Sequence, residues 1–165
     1  KRNTKGFVDI SREHFSNALT KFLCDDPLRM AREANPTLGN FDEIVKLVQV
    51  CYYTTKGKLG WHRDRIAGLS DEEQDKLTSP VISISIGDDC KFEYKHSITS
   101  APIKLKLNSG DILIFGGPMR MMWHAVTKIY NGTAPAQLNM RNYAGRFNMT
   151  FREGTYYPPN IAATL

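Results

Sequence analysis

Two hydrophobic patterns divide the chain near residue 40. Before this point apolar residues recur every three or four positions, a spacing that predicts amphipathic helices. A first helix can be capped by Ser11, and its apolar face would carry Phe15, Ala18, Leu19, Phe22 and Leu23. A second helix can begin at Asp26-Pro27 and should end near Asn35-Pro36. Residues 1–40 are therefore predicted to form a helical N-terminal support.

After residue 44 the hydrophobic period becomes two, the spacing of strands that bury one face. The predicted strands cover residues 44–53, 81–86, 91–94, 103–107, 111–115 and 145–152. An acidic stretch at 70–77 interrupts them, and Ser70 and Glu73 have the spacing of a helix-capping box. We therefore predict a closed or double-sheet β body over residues 44–153, with a short acidic helix in an insertion at 65–80.

Length and composition fit one ordinary globular domain spanning residues 1–165. The 165 residues are 41% hydrophobic and 24% charged, values close to those of folded domains. No apolar run approaches the roughly 18 residues that a membrane span needs. We expect a monomer without a membrane anchor.

Charge and cysteine content bear on the partner and the compartment. The net charge of +5 suits an anionic partner, of which nucleic acid is the commonest, although proteins that bind none often carry a similar excess. Cys24, Cys51 and Cys90 form no Cys-x-x-Cys pair, a pattern typical of reduced intracellular proteins. We expect a cytoplasmic or nuclear protein, while a start at Lys1 leaves organelle targeting open.

The segment His62-Arg63-Asp64 is a candidate metal site. On an extended backbone the histidine and the aspartate leave the same face of the strand, so both can reach one metal ion. A second histidine from elsewhere would complete a set of two histidines and one carboxylate, the pattern of non-haem Fe(II) oxygenases. A His-x-Asp sequence also arises often by chance, and a turn or a solvated strand edge explains it without any metal.

The strand at 145–152 adds a second kind of chemistry. Its polar residues are Arg146, Asn148, Thr150 and Arg152, and they alternate with Phe147, Met149 and Phe151. Two arginines inside a β body are costly unless anions offset their desolvation. A ligand with two carboxylates would do so, because each carboxylate can accept a bidentate pair of hydrogen bonds from a guanidinium.

Five runs of the sequence match one family in their order and spacing. They lie at residues 60–64, 80–87, 109–117, 123–124 and 146–152, and the last reads Arg-x-Asn-x-Thr-Phe-Arg. Together they resemble the AlkB family of Fe(II)- and 2-oxoglutarate-dependent dioxygenases, over roughly two thirds of the chain. The resemblance implies a double-stranded β-helix, the cupin-like jelly roll, as the core, with helices flanking it.

The resemblance also implies a cofactor set and a reaction. Fe(II) would be bound by His62, Asp64 and His124, and 2-oxoglutarate by Tyr53, Arg146, Asn148, Thr150 and Arg152. Dioxygen is the third reactant. The implied reaction is oxidative demethylation of N-methylated bases in DNA or RNA, which releases formaldehyde, succinate and CO2. Taken alone, His124 would more often be a core histidine, and Tyr53 an ordinary cross-strand aromatic residue.

Candidates for substrate binding flank these positions. They are Trp61, Arg63, Arg65, Phe115 and Arg120. Arginines at the mouth of the site would hold phosphates, and Trp61 could stack on a base or belong to the core. Phe115 is expected in the pocket wall.

Departures from the family pattern leave two alternatives open. Cys51 stands where the family has an asparagine, and the segment Arg65-Ile66-Ala67 lacks the acidic residue of bacterial members. An oxygenase acting on a protein or small molecule is therefore one alternative. A nucleic-acid-binding module without catalysis is another.

Overall fold

The described part of the chain forms two β-sheets with helices packed on one of them. The computed structural model describes residues 4–11, 16–38, 47–138 and 144–153. The strands are β1 (Thr4–Ser11), β2 (Leu47–Tyr53), β3 (Leu59–His62), β4 (Val81–Gly87), β5 (Asp89–Lys95), β6 (Ile103–Leu107), β7 (Ile112–Phe115), β8 (Trp123–Tyr130) and β9 (Arg146–Arg152). The helices are α1 (Asn17–Thr20), which continues through a π-helical turn (Lys21–Asp25) into α2 (Asp26–Ala34), and α3 (Asp71–Asp75).

The two sheets are antiparallel throughout and enclose an apolar core. The larger sheet has the order β1-β2-β9-β4-β7, and the smaller has the order β3-β8-β5-β6. Buried residues of both sheets meet between them, among them Val81, Phe92, Phe115 and Val126. The predicted mainly β body built from two sheets is confirmed.

A second core joins the larger sheet to the helices. On β4, Ile82 and Ile84 pack in one cluster with Cys24 of the π-helical turn and Leu28 of α2. The serines that alternate with them therefore point between the sheets, because successive side chains on a strand lie on opposite faces. This alternation brings polar groups into the interior beside β9.

The N-terminal prediction is wrong for Thr4–Ser11. These residues form an edge strand paired with β2, so Ser11 ends a strand where we expected a helix cap. Two β-branched residues, Val8 and Ile10, favour extended backbone, and pairing with β2 satisfies the backbone groups. The helical period belongs to 17–34, and α2 ends at Ala34 as predicted. Phe15 lies outside the described residues.

Two features of the β body differ in how well the sequence predicted them. The capping box of α3 is confirmed, because the Glu73 backbone N–H donates to Ser70 Oγ at 3.3 Å and the Ser70 N–H donates to Glu73 Oε2 at 2.7 Å. Strand β8 was not predicted, because it follows an apolar Met-Met run that hides the period of two.

No helix among the described residues is long and apolar enough to cross a membrane.

Gly145 lets β9 begin close to β2. Its φ of +131° is a conformation that side chains rarely allow, and a Cβ there would lie 2.2 Å from the backbone oxygen of Tyr53. The residue that follows, Arg146, is the register partner of Tyr53. Glycine at 145 is therefore needed to place these two side chains in the interior.

Candidate active site

Three potential metal ligands converge between the sheets. His62 ends β3, His124 is the second residue of β8, and the two are direct register partners. Asp64 follows β3, and its Oδ1 lies 3.7 Å from the Nε2 atom of each histidine. The three ligand atoms all lie within 4.8 Å of one another, so one ion could contact all of them.

The outer nitrogens of both rings fix the orientation of this cluster. His62 Nδ1 lies 2.8 Å from the Gly60 carbonyl oxygen, and His124 Nδ1 lies 3.2 Å from the Met122 carbonyl oxygen. Because a carbonyl only accepts, each Nδ1 carries the hydrogen and each Nε2 keeps a free lone pair. Burial lowers the pKa of His124 and outweighs the opposing effect of Asp64. The lowered pKa favours the neutral imidazole, which is the form that binds metals.

A buried guanidinium lies in the pocket next to these ligands. Arg146 is 1% exposed and lines an inner pocket together with His62, Asp64, His124 and Tyr53. Its Nη2 donates to Ser85 Oγ at 2.8 Å, whereas its Nε and Nη1 have no partner among the described residues. A buried cation with two unused donors is costly without an anion, so this pocket suits a carboxylate.

Asn148 and Thr150 also line the inner pocket, but their donors are already used. Asn148 Nδ2 donates to Ser83 Oγ at 2.8 Å and to the Ile84 carbonyl oxygen at 3.0 Å. Thr150 Oγ1 donates to Asn148 Oδ1 at 2.9 Å. These two residues therefore form a fixed polar wall, and their contacts with a ligand would have to replace existing bonds.

Two residues of β2 complete the inner wall. Tyr53 is 2% exposed, and burial raises its pKa far above the ordinary value, so its hydroxyl remains a protonated donor. Cys51 is buried, lines the same pocket and is the register partner of Asn148. The thiol thus occupies the wall at the place where the motif comparison expected an amide.

A second pocket, the entrance cleft, has a volume of about 530 Å³ and also borders the metal-ligand cluster. It is lined by Gln49, residues 58–65 and Arg152, and it shares His62 and Asp64 with the inner pocket. The Lys95 Nζ lies 4.1 Å from the centre of the Trp61 ring, so an aromatic and a cationic group stand together at the rim. The metal-ligand cluster therefore borders both the polar inner pocket and the basic entrance cleft.

Both arginines beside Asp64 are paired with acidic residues of α3. Arg63 Nη1 lies 3.1 Å from Asp75 Oδ1, and Arg65 pairs with Asp71. Arg63 also lies 5.4 Å from the centre of the Trp123 ring. The predicted phosphate-binding side chains are thus present at the cleft, although each is already engaged by a carboxylate.

The structure separates two other substrate candidates from the cleft. Phe115 is buried, with its ring centre 5.5 Å from that of His124, so it forms wall of the inner pocket as expected. Arg120 was predicted at the mouth, but it is 1% exposed and donates to the Asp64 carbonyl oxygen at 2.7 Å. It cannot offer a phosphate a solvent-facing surface, so this prediction is wrong. The sequence does not show this burial, because the contact of Arg120 with Asp64 joins two distant segments and the Met-rich turn around Arg120 has no local pattern that indicates it.

Three functional side chains were missed in the sequence. Ser83 and Ser85 hold Asn148 and Arg146, and the signal for them was two hydroxyls in an otherwise apolar strand. Gln74 is 1% exposed and binds Ile66 through both of its amide atoms, which joins α3 to the segment after Asp64. No pattern in an acidic helix marks one glutamine as buried.

Comparison with known proteins decides the family. A sequence model of the 2OG-Fe(II) oxygenase superfamily matches residues 13–152. The chain belongs to this superfamily. Within it, the chain is 39% identical over 109 residues to the Arabidopsis thaliana protein named DNA N(6)-methyladenine demethylase ALKBH1D, a match covering 62% of this chain and 23% of that protein.

Two further superfamily members extend the comparison. The Escherichia coli (strain K12) alpha-ketoglutarate-dependent dioxygenase AlkB is 28% identical over 102 residues, covering 61% of this chain and 42% of AlkB. The solved structure of OsALKBH1 matches with a TM-score of 0.68 and 31% identity, covering 84% of this chain and 66% of that one. The match therefore spans less than half the length of ALKBH1D and of AlkB. The resemblance to the AlkB family and its jelly-roll core is confirmed.

The residues present fit the superfamily's cofactors. Two imidazole nitrogens and one carboxylate oxygen are the donor set of non-haem Fe(II) sites. The unused donors of Arg146 fit a carboxylate of 2-oxoglutarate. Dioxygen is the remaining reactant of this superfamily's chemistry.

Proposed function

We propose that this domain is an Fe(II)- and 2-oxoglutarate-dependent dioxygenase that oxidatively demethylates N-methylated bases in nucleic acid. One observation carries the proposal: the cluster of His62, Asp64 and His124 shares its pocket with the buried, incompletely paired guanidinium of Arg146. Binding of 2-oxoglutarate requires a set of metal ligands and, next to it, a cationic group with free hydrogen-bond donors for a carboxylate.

Each inner residue has a role in this account. His62, Asp64 and His124 would hold the iron, with both imidazoles kept in the binding tautomer by carbonyl oxygens. Arg146 would pair with the far carboxylate of 2-oxoglutarate, while the Tyr53 hydroxyl donates a further hydrogen bond. Bound Fe(II), 2-oxoglutarate and dioxygen would together supply the oxidising chemistry, in which 2-oxoglutarate is converted to succinate and CO2 and the methyl carbon leaves as formaldehyde.

The remaining pocket residues would position the cosubstrate and shield the metal ligands from water. Arg152 lines the entrance cleft instead of the inner pocket, and its Nε has no partner among the described residues. Its role toward the metal-proximal carboxylate is the one that the family resemblance implies. Asn148 and Thr150 would keep the wall of the cosubstrate pocket rigid through their bond to each other. The apolar surfaces of Phe92 and Phe115 exclude water from the side of His124.

The entrance cleft suits the nucleic-acid substrate. Its volume of about 530 Å³ is in the range of sites that accept a small ligand, and a single base fits that class. Trp61 offers an aromatic face at the rim, and Lys95 and Arg63 supply positive charge nearby. Because the relative ALKBH1D is named a DNA N(6)-methyladenine demethylase, N6-methyladenine in DNA is the first substrate to test.

A second candidate function is supported by one observation. Because Asp71 and Asp75 already engage Arg65 and Arg63, the cleft offers phosphates fewer free cations than its sequence suggests. This favours an oxygenase that acts on a protein or a small molecule. Such an enzyme would turn over 2-oxoglutarate without being stimulated by methylated oligonucleotides.

A panel of oligonucleotides tests the proposal. Protein loaded with Fe(II) and 2-oxoglutarate is exposed to air with DNA and RNA carrying N6-methyladenine, 1-methyladenine or 3-methylcytosine, and nucleosides are quantified by mass spectrometry. We expect loss of methyl from at least one substrate with the wild type and none with Asp64→Ala. Methyl loss from no substrate, alongside succinate formation, would move the function to the second candidate.

A further inference from the structure

Arg120 contacts the backbone of the metal ligand Asp64 and is almost completely buried. Its side chain is 1% exposed, and its Nη1 donates to the Asp64 carbonyl oxygen at 2.7 Å. A weaker contact of 3.6 Å reaches Met121 Sδ. Its Nε and Nη2 have no partner among the described residues. Among the described residues, the Asp64 carbonyl oxygen is therefore the only strong hydrogen-bond acceptor for this buried guanidinium.

Folding stability alone does not account for an arginine here. Burying a guanidinium costs several kcal/mol unless its donors are well paired, and apolar replacements of buried charges are often neutral or stabilising. Burial is the largest effect on the pKa of Arg120, which it lowers, and the negative charge of Asp64 offsets only part of that effect. A residue that is costly for the fold calls for a role in the site.

The position of Arg120 links two parts of the metal-ligand cluster that are far apart in sequence. Its backbone belongs to the turn between β7 and β8, four residues before His124. Its side chain reaches Asp64, 56 residues earlier, in the segment that follows β3. That segment has no regular structure of its own at residues 63–66, so it relies on such contacts to hold its carboxylate in place.

We propose that Arg120 is a positioning residue of the metal site, which holds the Asp64 backbone so that its carboxylate stays directed at both histidines. The inference rests on the metal assignment of the proposed function. Other hydrogen bonds hold the two residues that follow Asp64. Gln74 binds the backbone N–H and carbonyl of Ile66, and Arg152 donates to the Arg65 carbonyl oxygen at 3.1 Å, whereas the Asp64 carbonyl oxygen is bound by Arg120.

Binding of Mn(II), followed by electron paramagnetic resonance of the free ion, tests this role without catalysis. We compare the wild type with Arg120→Met, Arg120→Gln, Asp64→Ala and Lys128→Met, the last being a charge control on an exposed position of β8. Thermal unfolding of each metal-free protein is measured in parallel. Contacts that orient metal ligands typically contribute about 10- to 100-fold to metal affinity.

We expect Arg120→Met to weaken Mn(II) binding by about 10- to 100-fold while the melting temperature of the metal-free protein stays equal or rises. Lys128→Met should bind like the wild type. If Arg120→Met does not fold, Arg120→Gln carries the same expectation. Wild-type affinity in a folded Arg120 variant would overturn the inference. Absence of Mn(II) binding in the wild type would instead refute the metal assignment of the proposed function.

Discussion

Replacing Ser85 with alanine removes the hydroxyl that accepts a hydrogen bond from Arg146. Both side chains are buried, at 0% and 1% exposure, and the bond from Arg146 Nη2 is 2.8 Å long. The other two guanidinium nitrogens have no partner among the described residues, so the charge would lose its hydrogen bond to Ser85 and keep no other there. Ser85→Ala therefore tests whether the cosubstrate pocket holds Arg146 in place before any ligand binds.

The magnitude follows from the charge of the donor. Hydrogen bonds to charged groups contribute about 1.5–3 kcal/mol to stability, and a domain of this size shifts its melting temperature by roughly 2–4 °C for each kcal/mol. Ser85→Ala should thus lower the melting temperature by about 3–12 °C. It should also weaken 2-oxoglutarate binding, because the guanidinium is then free to leave the orientation that faces the carboxylate.

Calorimetric titration with 2-oxoglutarate in the presence of Mn(II), with thermal unfolding in parallel, measures both effects. Ser83→Ala is the matched control, since its hydroxyl accepts from the neutral amide of Asn148 and its loss should cost about 0.5–1.5 kcal/mol. Equal melting temperatures and equal 2-oxoglutarate affinities for wild type and Ser85→Ala would show that Ser85 does not hold Arg146 in place.

Two further predictions concern the cleft and the start of β9. The double variant Asp71→Asn/Asp75→Asn frees the two arginines beside the cleft, so single-stranded DNA should bind more tightly by fluorescence anisotropy. The slope of log Kd against log salt should steepen by about 0.7 for each arginine that reaches a phosphate, and an unchanged slope would count against phosphate binding there. Gly145→Ala should lower the free energy of unfolding by more than the roughly 1–3 kcal/mol that backbone strain alone costs, because the added Cβ also meets a backbone oxygen. Urea unfolding that gives wild-type stability would contradict this.

Part of the chemistry of the site could be predicted from short local patterns, because some of the functional residues lie close together on one strand or in one short segment. His62 and Asp64 share a face through their spacing, and the alternation in β9 placed Arg146 in the interior. Pairing of β3 with β8, which brings His124 opposite His62, is a contact between distant segments that no local period specifies. The family motif supplied that partner.

The failures have the same physical origin. Arg120 resembles a surface cation in sequence, and only tertiary contacts show that its side chain turns inward to Asp64. The ion pairs of α3 likewise depend on where the insertion folds back, so the sequence could not show that Arg63 and Arg65 are already engaged. Thr4–Ser11 became a strand because β2 offered it an edge.

The most direct test of the central claim is the coupled yield of succinate and formaldehyde. Wild-type protein and Asp64→Ala are supplied with Fe(II), 2-oxoglutarate, air and DNA carrying N6-methyladenine, or with whichever methylated oligonucleotide the panel selects. We expect equal amounts of succinate and formaldehyde with the wild type and neither product with Asp64→Ala. Formaldehyde from Asp64→Ala at the wild-type rate would contradict the assignment of the active site.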